Sequence, residues 1–344
     1  MQALILVGGE GTRLRPLTST VPKPVVPLID RPFIAFMFEW LVRHGVDDVI
    51  MSCGFKADSV RAALGDGSAY GVRLRFVEEP EPRGTAGALK YAEDLLAERF
   101  LMLNGDVLSD MDLSAQIAQH EATGATGTLA LVPVPDPSAY GLVRINDDHS
   151  VRGFLEKPSA DQIDTNLISA GAYVLERSVL DLIEPDRNVS IEREIWPQLV
   201  GSGLFAFPHE HAYWLDIGTP ATYLKASSDI LEGFVETAPV QRIGAGCEIA
   251  SDAHVGSTVV LGAGVRVGEG TRIERAVVLE GATIGAHCEL SDCIVAAAAR
   301  IGDRTVVSGG AVLGEAVDVG ADNVLSHGIK VFGGTAIADA AITF

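Results

Sequence analysis

Basic residues are scarce in this chain. Twenty-six lysines and arginines stand against 46 aspartates and glutamates in 344 residues, a formal charge of −20. That deficit argues against a nucleic-acid partner, because a phosphate backbone recruits a basic surface. Long apolar runs are missing too: none approaches the roughly 18–20 residues of a membrane-spanning helix, so no membrane partner is expected. The opening residues, MQALILVGGEGTRLRP, have no basic lead and only a brief apolar stretch, unlike a secretory leader. Cysteines are few, and Cys53, Cys247, Cys288 and Cys293 show no C-x-x-C spacing. They are expected to be reduced, packed thiols of a cytoplasmic protein, without zinc or disulfides. What the chain has in excess is glycine, 37 residues, and their placement is informative.

Two periodicities divide the sequence. Up to about residue 231, buried-type strands at 2–7, 48–53, 73–77 and 100–103 alternate with helical spacing at 33–45, 58–65 and 85–98. Alternation of this kind predicts βαβ units and a mixed, mostly parallel α/β sheet. Later strands at 127–133, 141–146, 151–155 and 169–175 suggest a smaller mixed sub-sheet. Ser190 reads as a helix start and Pro197 as its end. A linker at 232–242 leads to a six-residue beat over 243–344: Ile243, Ile249, Val255, Leu261, Val267, Ile273 and Leu279, then after a slip of frame Val278, Ile284 and Leu290. A second slip leads to Ile301, Val307, Leu313, Val319, Leu325, Val331 and Ile337, many followed by glycine. Period six with small corner residues is the hexapeptide signature of a parallel β-helix, expected to be left-handed.

The chemistry is expected in the first part. The strand ending at Val7 runs into Gly8-Gly9-Glu10-Gly11-Thr12-Arg13-Leu14-Arg15-Pro16. Glycines let backbone N–H groups approach an anion, although this run fits neither the dinucleotide fingerprint nor a P-loop. Arg13, Arg15 and Lys23 gather cations around it, and Pro16, Pro22, Pro24 and Pro27 stiffen it. A stiff, cationic, glycine-rich loop suits a triphosphate.

GGEGTRLRPLTSTVPKP resembles the signature of the sugar-1-phosphate nucleotidylyltransferases. Further matches follow in that family's order: Glu79-Pro80 with Gly84-Thr85-Ala86-Gly87, Asn104-Gly105-Asp106, Tyr140-Gly141, Phe154-Leu155-Glu156-Lys157-Pro158, Ser169-Ala170-Gly171, and Tyr213 to Gly218. The similarity covers essentially the whole chain and is greatest to the mannose-1-phosphate guanylyltransferase branch. It implies transfer of a nucleotidyl group from a nucleoside triphosphate to a sugar 1-phosphate, releasing pyrophosphate. The attacking phosphate is already ionised near neutral pH, so positioning and charge neutralisation suffice and no general base is needed. By this resemblance Arg13 holds the departing pyrophosphate, Lys23 neutralises the α-phosphate, and Asp106 and Asp216 bind Mg²⁺. Gly8, Gly9, Gly11, Thr12, Glu79, Gly84, Thr85 and Gly87 line the nucleotide site. Gly141, Glu156, Lys157 and Ser169 form the sugar-phosphate site.

Specificity is less legible. A carboxylate at Glu79 offers two acceptors to the adjacent donors of guanine, whereas related thymidylyl- and uridylyltransferases place an amide there. Ser169 departs from the asparagine usual in the guanylyltransferase branch, which leaves glucose 1-phosphate open beside mannose 1-phosphate. Two other classes compete. A hexapeptide acyltransferase would use a coil histidine, His254, His287 or His327, as base. A non-catalytic regulatory subunit would have lost Arg13, Lys23, Asp106 or Asp216, and all four are present. The β-helix is expected to serve assembly as a homo-oligomer or regulation.

Overall fold

The computed structural model describes residues 1–54 and 56–343; Phe344, the last residue of the expected β-helix, lies outside them. The chain divides into two compact units, Met1–Gly9 with Phe36–Trp214, and Glu10–Ala35 with Leu215–Phe344.

In the first unit the apolar runs become a nine-stranded mixed sheet. Gln2–Leu6, Asp48–Cys53, Arg73–Glu78 and Arg99–Asn104 run parallel. Leu4, Ile50, Phe100 and Met102 are fully buried in their interior, as expected for strands covered on both faces. The register sets Leu6 beside Ser52 and Asn104, and Cys53 beside Glu78. The segments carrying Gly8, Glu79 and Asp106 therefore all emerge at one carboxyl edge, where open α/β sheets bind ligands.

The later strands do not form a sub-sheet of their own. Leu167–Glu176 lies antiparallel on Arg99–Asn104, with Tyr173 opposite Met102, and also pairs with Gly127–Pro133. Its centre, Ala170 to Leu175, is buried, and this apolar strand merges the two parts. The helix expected over 85–98 is also shorter. It runs Gly84–Tyr91 and gives way to a 3₁₀ turn at Glu93–Leu95. Arg177 Nη1 donates to the carbonyls of Glu93 and Leu96 at 3.0 and 2.5 Å and holds the end open. Ser190 does start a helical segment, accepting from Arg193 N at 3.3 Å. That segment is a π-helical turn, Ile191–Ile195, and Pro197 sits in the first turn of the following helix, Trp196–Leu199, rather than ending it. Proline fits there because its missing N–H would have had no partner.

His209 is buried beside Phe207, with ring centroids 4.8 Å apart. Burial pulls its imidazole down to about 4. The unfolded chain therefore takes up a proton that the folded one refuses, and stability falls as pH drops from about 6.5 towards 4. The loss expected from this residue is up to ~3 kcal/mol. Urea titrations of the native chain and His209→Gln at pH 7 and pH 4.5 check this: the variant should lose less stability between them.

The second unit contains the repeat. Glu248–Ile249, Arg266–Val267, Thr283–Ile284, Arg300–Ile301, Asp318–Val319 and Ala336–Ile337 pair in parallel as one sheet. A second parallel sheet carries the other rungs, including Val260–Leu261, Val312–Leu313 and Lys330–Val331. Residues of the beat from Leu261 to Val331 point inward and form one core with Cys288 and Cys293. Parallel sheets of short strands around such a core are the arrangement of a β-helix. The frame slips have a local cause. In two coils a corner is straightened into one continuous strand, Arg272–Val278 and Glu289–Val295. Ile284 then pairs with Ile301, one residue nearer in sequence than Ile301 with Val319. Arg275 and Asp292 adopt φ of 42° and 49° at these places. Their side chains meet in a two-pronged ion pair, 2.7 and 2.6 Å. His254, His287 and His327 are all exposed. All four cysteines are free thiols, and burial raises Cys53 and Cys293 to about 12. Among the described residues, no helix is long and apolar enough to cross a membrane.

Candidate active site

At the carboxyl edge of the first unit, Glu79 is half-buried beside the glycine turn: a Cβ on Gly8 would lie 3.7 Å from its Oε1. Ser52 Oγ donates to that oxygen at 2.7 Å, and Arg83 N approaches the other at 3.4 Å. Each carboxylate oxygen keeps a lone pair to offer. Gly84 and Thr85 open the next helix, and Gly87 lies within it. Thr85 Oγ1 donates to Glu192 Oε2 at 2.8 Å and accepts from Ile191 N at 2.8 Å.

A second cluster gathers on the strands that follow. Gly141 faces Phe154 so closely that a Cβ would sit 2.5 Å from its ring and 3.1 Å from Glu156 Oε2. Lys157 takes φ of 52° immediately after Glu156, and its N–H donates to Tyr140 O at 2.9 Å. Positive φ at a non-glycine residue is strain of the sort that collects at functional sites. Ser169 starts a bulge in Leu167–Glu176, and its hydroxyl meets that of buried Tyr173 at 3.0 Å. Burial raises the Glu156 carboxyl, with the Glu192 charge adding and Lys157 and Arg193 opposing. Burial also raises Tyr173, and the charges of Glu192, Glu156 and Asp106 push it the same way. Those three carboxylates therefore share one field around Tyr173. Trp214 supports this wall, edge-on to Tyr140 at 5.3 Å and donating to Ala170 O at 2.9 Å.

Glu192 was not singled out from sequence. Its signal was available in the acidic turn Ser190-Ile191-Glu192, and the π-helical turn that carries it is a form frequent at functional sites. Nothing local, however, announced that it would face Thr85 and Glu156.

The cationic loop belongs to the second unit. Thr18 Oγ1 donates to Gly11 O at 2.7 Å, and a Cβ on Gly11 would lie 3.1 Å from Lys23 Cβ. Gly11 and Lys23 are therefore neighbours. Arg15 pairs with Glu10 at 2.9 Å. Arg13 Nη2 lies 3.9 Å from Asp216 Oδ2, a pairing across some two hundred residues. Gly218 makes room for it, since a Cβ there would stand 2.5 Å from Arg13 Nη2. Thr12 begins the 3₁₀ turn Thr12–Leu14 that presents Arg13.

Asp106 lies in the first unit and Asp216 in the second. Among the described residues, no three His, Cys, Asp or Glu side chains are grouped to hold a metal. Mg²⁺ takes one or two carboxylates and completes its shell with phosphates and water. Asp106 and Asp216 supply hard oxygen donors of the right kind, and the 3.9 Å pairing with Arg13 is too long to be a locking hydrogen bond.

The family described as "Nucleotidyl transferase" matches residues 2–233, and that described as "GMPPB C-terminal domain" matches 238–340. A mannose-1-phosphate guanylyltransferase of Mycobacterium tuberculosis is 36% identical over 84% of this chain and 82% of its own. A mannose-1-phosphate guanylyltransferase catalytic subunit beta of Danio rerio is 35% identical over 98% of both chains. Among solved structures, HddC from Yersinia pseudotuberculosis matches with a TM-score of 0.57 and 32% identity, over 65% of this chain and 97% of that one. Another structure of that protein is complexed with GMP-PN.

Proposed function

This chain belongs to the nucleotidyl transferase family, and we propose that it makes GDP-mannose from GTP and mannose 1-phosphate. A phosphate oxygen of the sugar 1-phosphate attacks the α-phosphorus. The bond from that phosphorus to the α–β bridging oxygen breaks, and pyrophosphate leaves with the electron pair. Arg13 holds the departing pyrophosphate and Lys23 neutralises the α-phosphate. Gly8, Gly9, Gly11, Thr12, Gly84, Thr85 and Gly87 shape the nucleotide site. Lys157 grips the sugar's phosphate, while Glu156 accepts from sugar hydroxyls beside Gly141 and Ser169. Asp106 and Asp216 would hold Mg²⁺, which supplies charge neutralisation along the polyphosphate. The catalytic segment is 1–231, followed by a linker and a left-handed β-helix over 243–344. The enzyme works in the cytoplasm as a homo-oligomer.

The observation that carries the choice of base is the half-buried Glu79 carboxylate, anchored by Ser52 beside Gly8. The relatives' names support the sugar. The test is pyrophosphate release from GTP, UTP, dTTP and ATP, each with mannose 1-phosphate and glucose 1-phosphate. GTP with mannose 1-phosphate should be fastest. Preference for UTP or dTTP with glucose 1-phosphate would replace this reading with a uridylyl- or thymidylyltransferase.

A further inference from the structure

The loop that carries Arg13 and Lys23 forms part of the same compact unit as the β-helix. Its polar fastenings fall at intervals along it. Lys330 Nζ donates to the Arg13 carbonyl at 3.0 Å. Thr20 Oγ1 donates to Glu315 Oε2 at 2.9 Å. Further along, Gln241 N donates to Asp30 Oδ2 at 2.7 Å, Arg31 Nη2 donates to Pro239 O at 2.7 Å, and the Tyr223 hydroxyl donates to Pro27 O.

Two of these fastenings, at Lys330 and Glu315, are to the coil; the others reach the linker at Pro239 and Gln241 and the helix Pro220–Glu232. Lys330 pairs with Val312 on adjacent rungs, and Glu315 lies in the turn just after Leu313. Between loop and corner is a cavity of about 500 Å³, lined by Pro16, Val21 and Ile29 on one side and Leu261, Ala263 and Ala296 on the other. Thr20, Glu315, Asp30 and Gln241 also line it. The loop's own apolar residues Leu14, Leu17, Val25, Val26 and Leu28 are buried, and beside the cavity the hydrogen bonds of Lys330 and Glu315 add directional contacts to the coil. Arg13 is held through its carbonyl by Lys330, while its guanidinium lies 3.9 Å from Asp216 beside Gly218.

We propose that the β-helix is a catalytic brace, with Lys330 and Glu315 as positioning residues that fix the backbone of the Arg13 loop for pyrophosphate. Neither touches substrate. This rests on the role given to Arg13 above. A misaligned Arg13 should weaken the grip on pyrophosphate and leave the nucleotide-sugar contacts as they were.

The reaction run in reverse, from GDP-mannose and pyrophosphate, reads this directly. In the full chain, Lys330→Met should raise the KM for pyrophosphate by about three- to tenfold, the effect of losing one exposed charge-assisted bond. The KM for GDP-mannose should stay within twofold, and Lys330→Arg should restore the pyrophosphate KM. Thr20→Val, which removes the bond to Glu315, carries the same expectation should Lys330→Met not fold. Arg300→Met, on an exposed rung of another face, should match the native enzyme. An unchanged pyrophosphate KM in a folded variant would overturn the brace, as would equal loss in both KM values. A native enzyme with no pyrophosphate exchange on any nucleotide sugar would overturn the proposed function first, and the brace with it.

Discussion

Asp216→Asn is expected to lower kcat by ~10³-fold, the upper range for removing one preorganised electrostatic contact, while leaving the fold intact. Two losses coincide at this side chain. The amide is a poor ligand for a hard divalent cation. It also removes the negative partner of Arg13, whose guanidinium lies 3.9 Å away and is 65% exposed. So exposed and long a pair contributes at most ~1 kcal/mol to stability, and asparagine nearly preserves the volume. Stability should therefore barely change although turnover collapses. Pyrophosphate release at saturating substrates, with calorimetric Tm on the same samples, separates the two quantities. Full turnover would remove Asp216 from the catalytic centre; equal loss of activity and Tm would make it a structural residue.

Legibility from sequence followed the range of the forces involved. The hexad beat was readable because each coil repeats the same local demand, an inward apolar residue and a small corner. Even its two slips were visible, at Ile273 to Val278 and Leu290 to Ile301, although the Arg275–Asp292 pair that accompanies the straightened corners was not. The parallel strands at 2–6 and 99–104 were readable as continuous apolar runs. The merging of the later strands was hidden, because Leu167–Glu176 chooses its partner by packing rather than by pattern. The same holds for the site. Arg13 and Asp216 were each recognisable within motifs, but their meeting depends on chain distant in sequence, and so does the position of Glu192 facing Thr85. That the cationic loop fastens to coil residues near the other end of the chain could not be read from its own composition.

Base selectivity should move with a single atom pair at Glu79. In Glu79→Gln the side chain keeps its length, and Ser52 Oγ, now 2.7 Å from Oε1, can turn to donate to an amide oxygen or accept from an amide nitrogen. Folding should be nearly unaffected. Guanine presents two adjacent donors, and the glutamine can accept only one; its NH₂ would then oppose the other. A hydrogen bond to a charged group is worth about 1.5–3 kcal/mol, so kcat/KM for GTP should fall roughly 10- to 150-fold. Uracil presents one donor between acceptors, which an amide can meet, so UTP should hold steady or improve. The ratio of kcat/KM for GTP to that for UTP, measured with mannose 1-phosphate, should thus drop at least tenfold, a change of ~1.4 kcal/mol. A uniform fall for both nucleotides would mean that Glu79 only shapes the loop, and an unchanged ratio would place base recognition on the backbone.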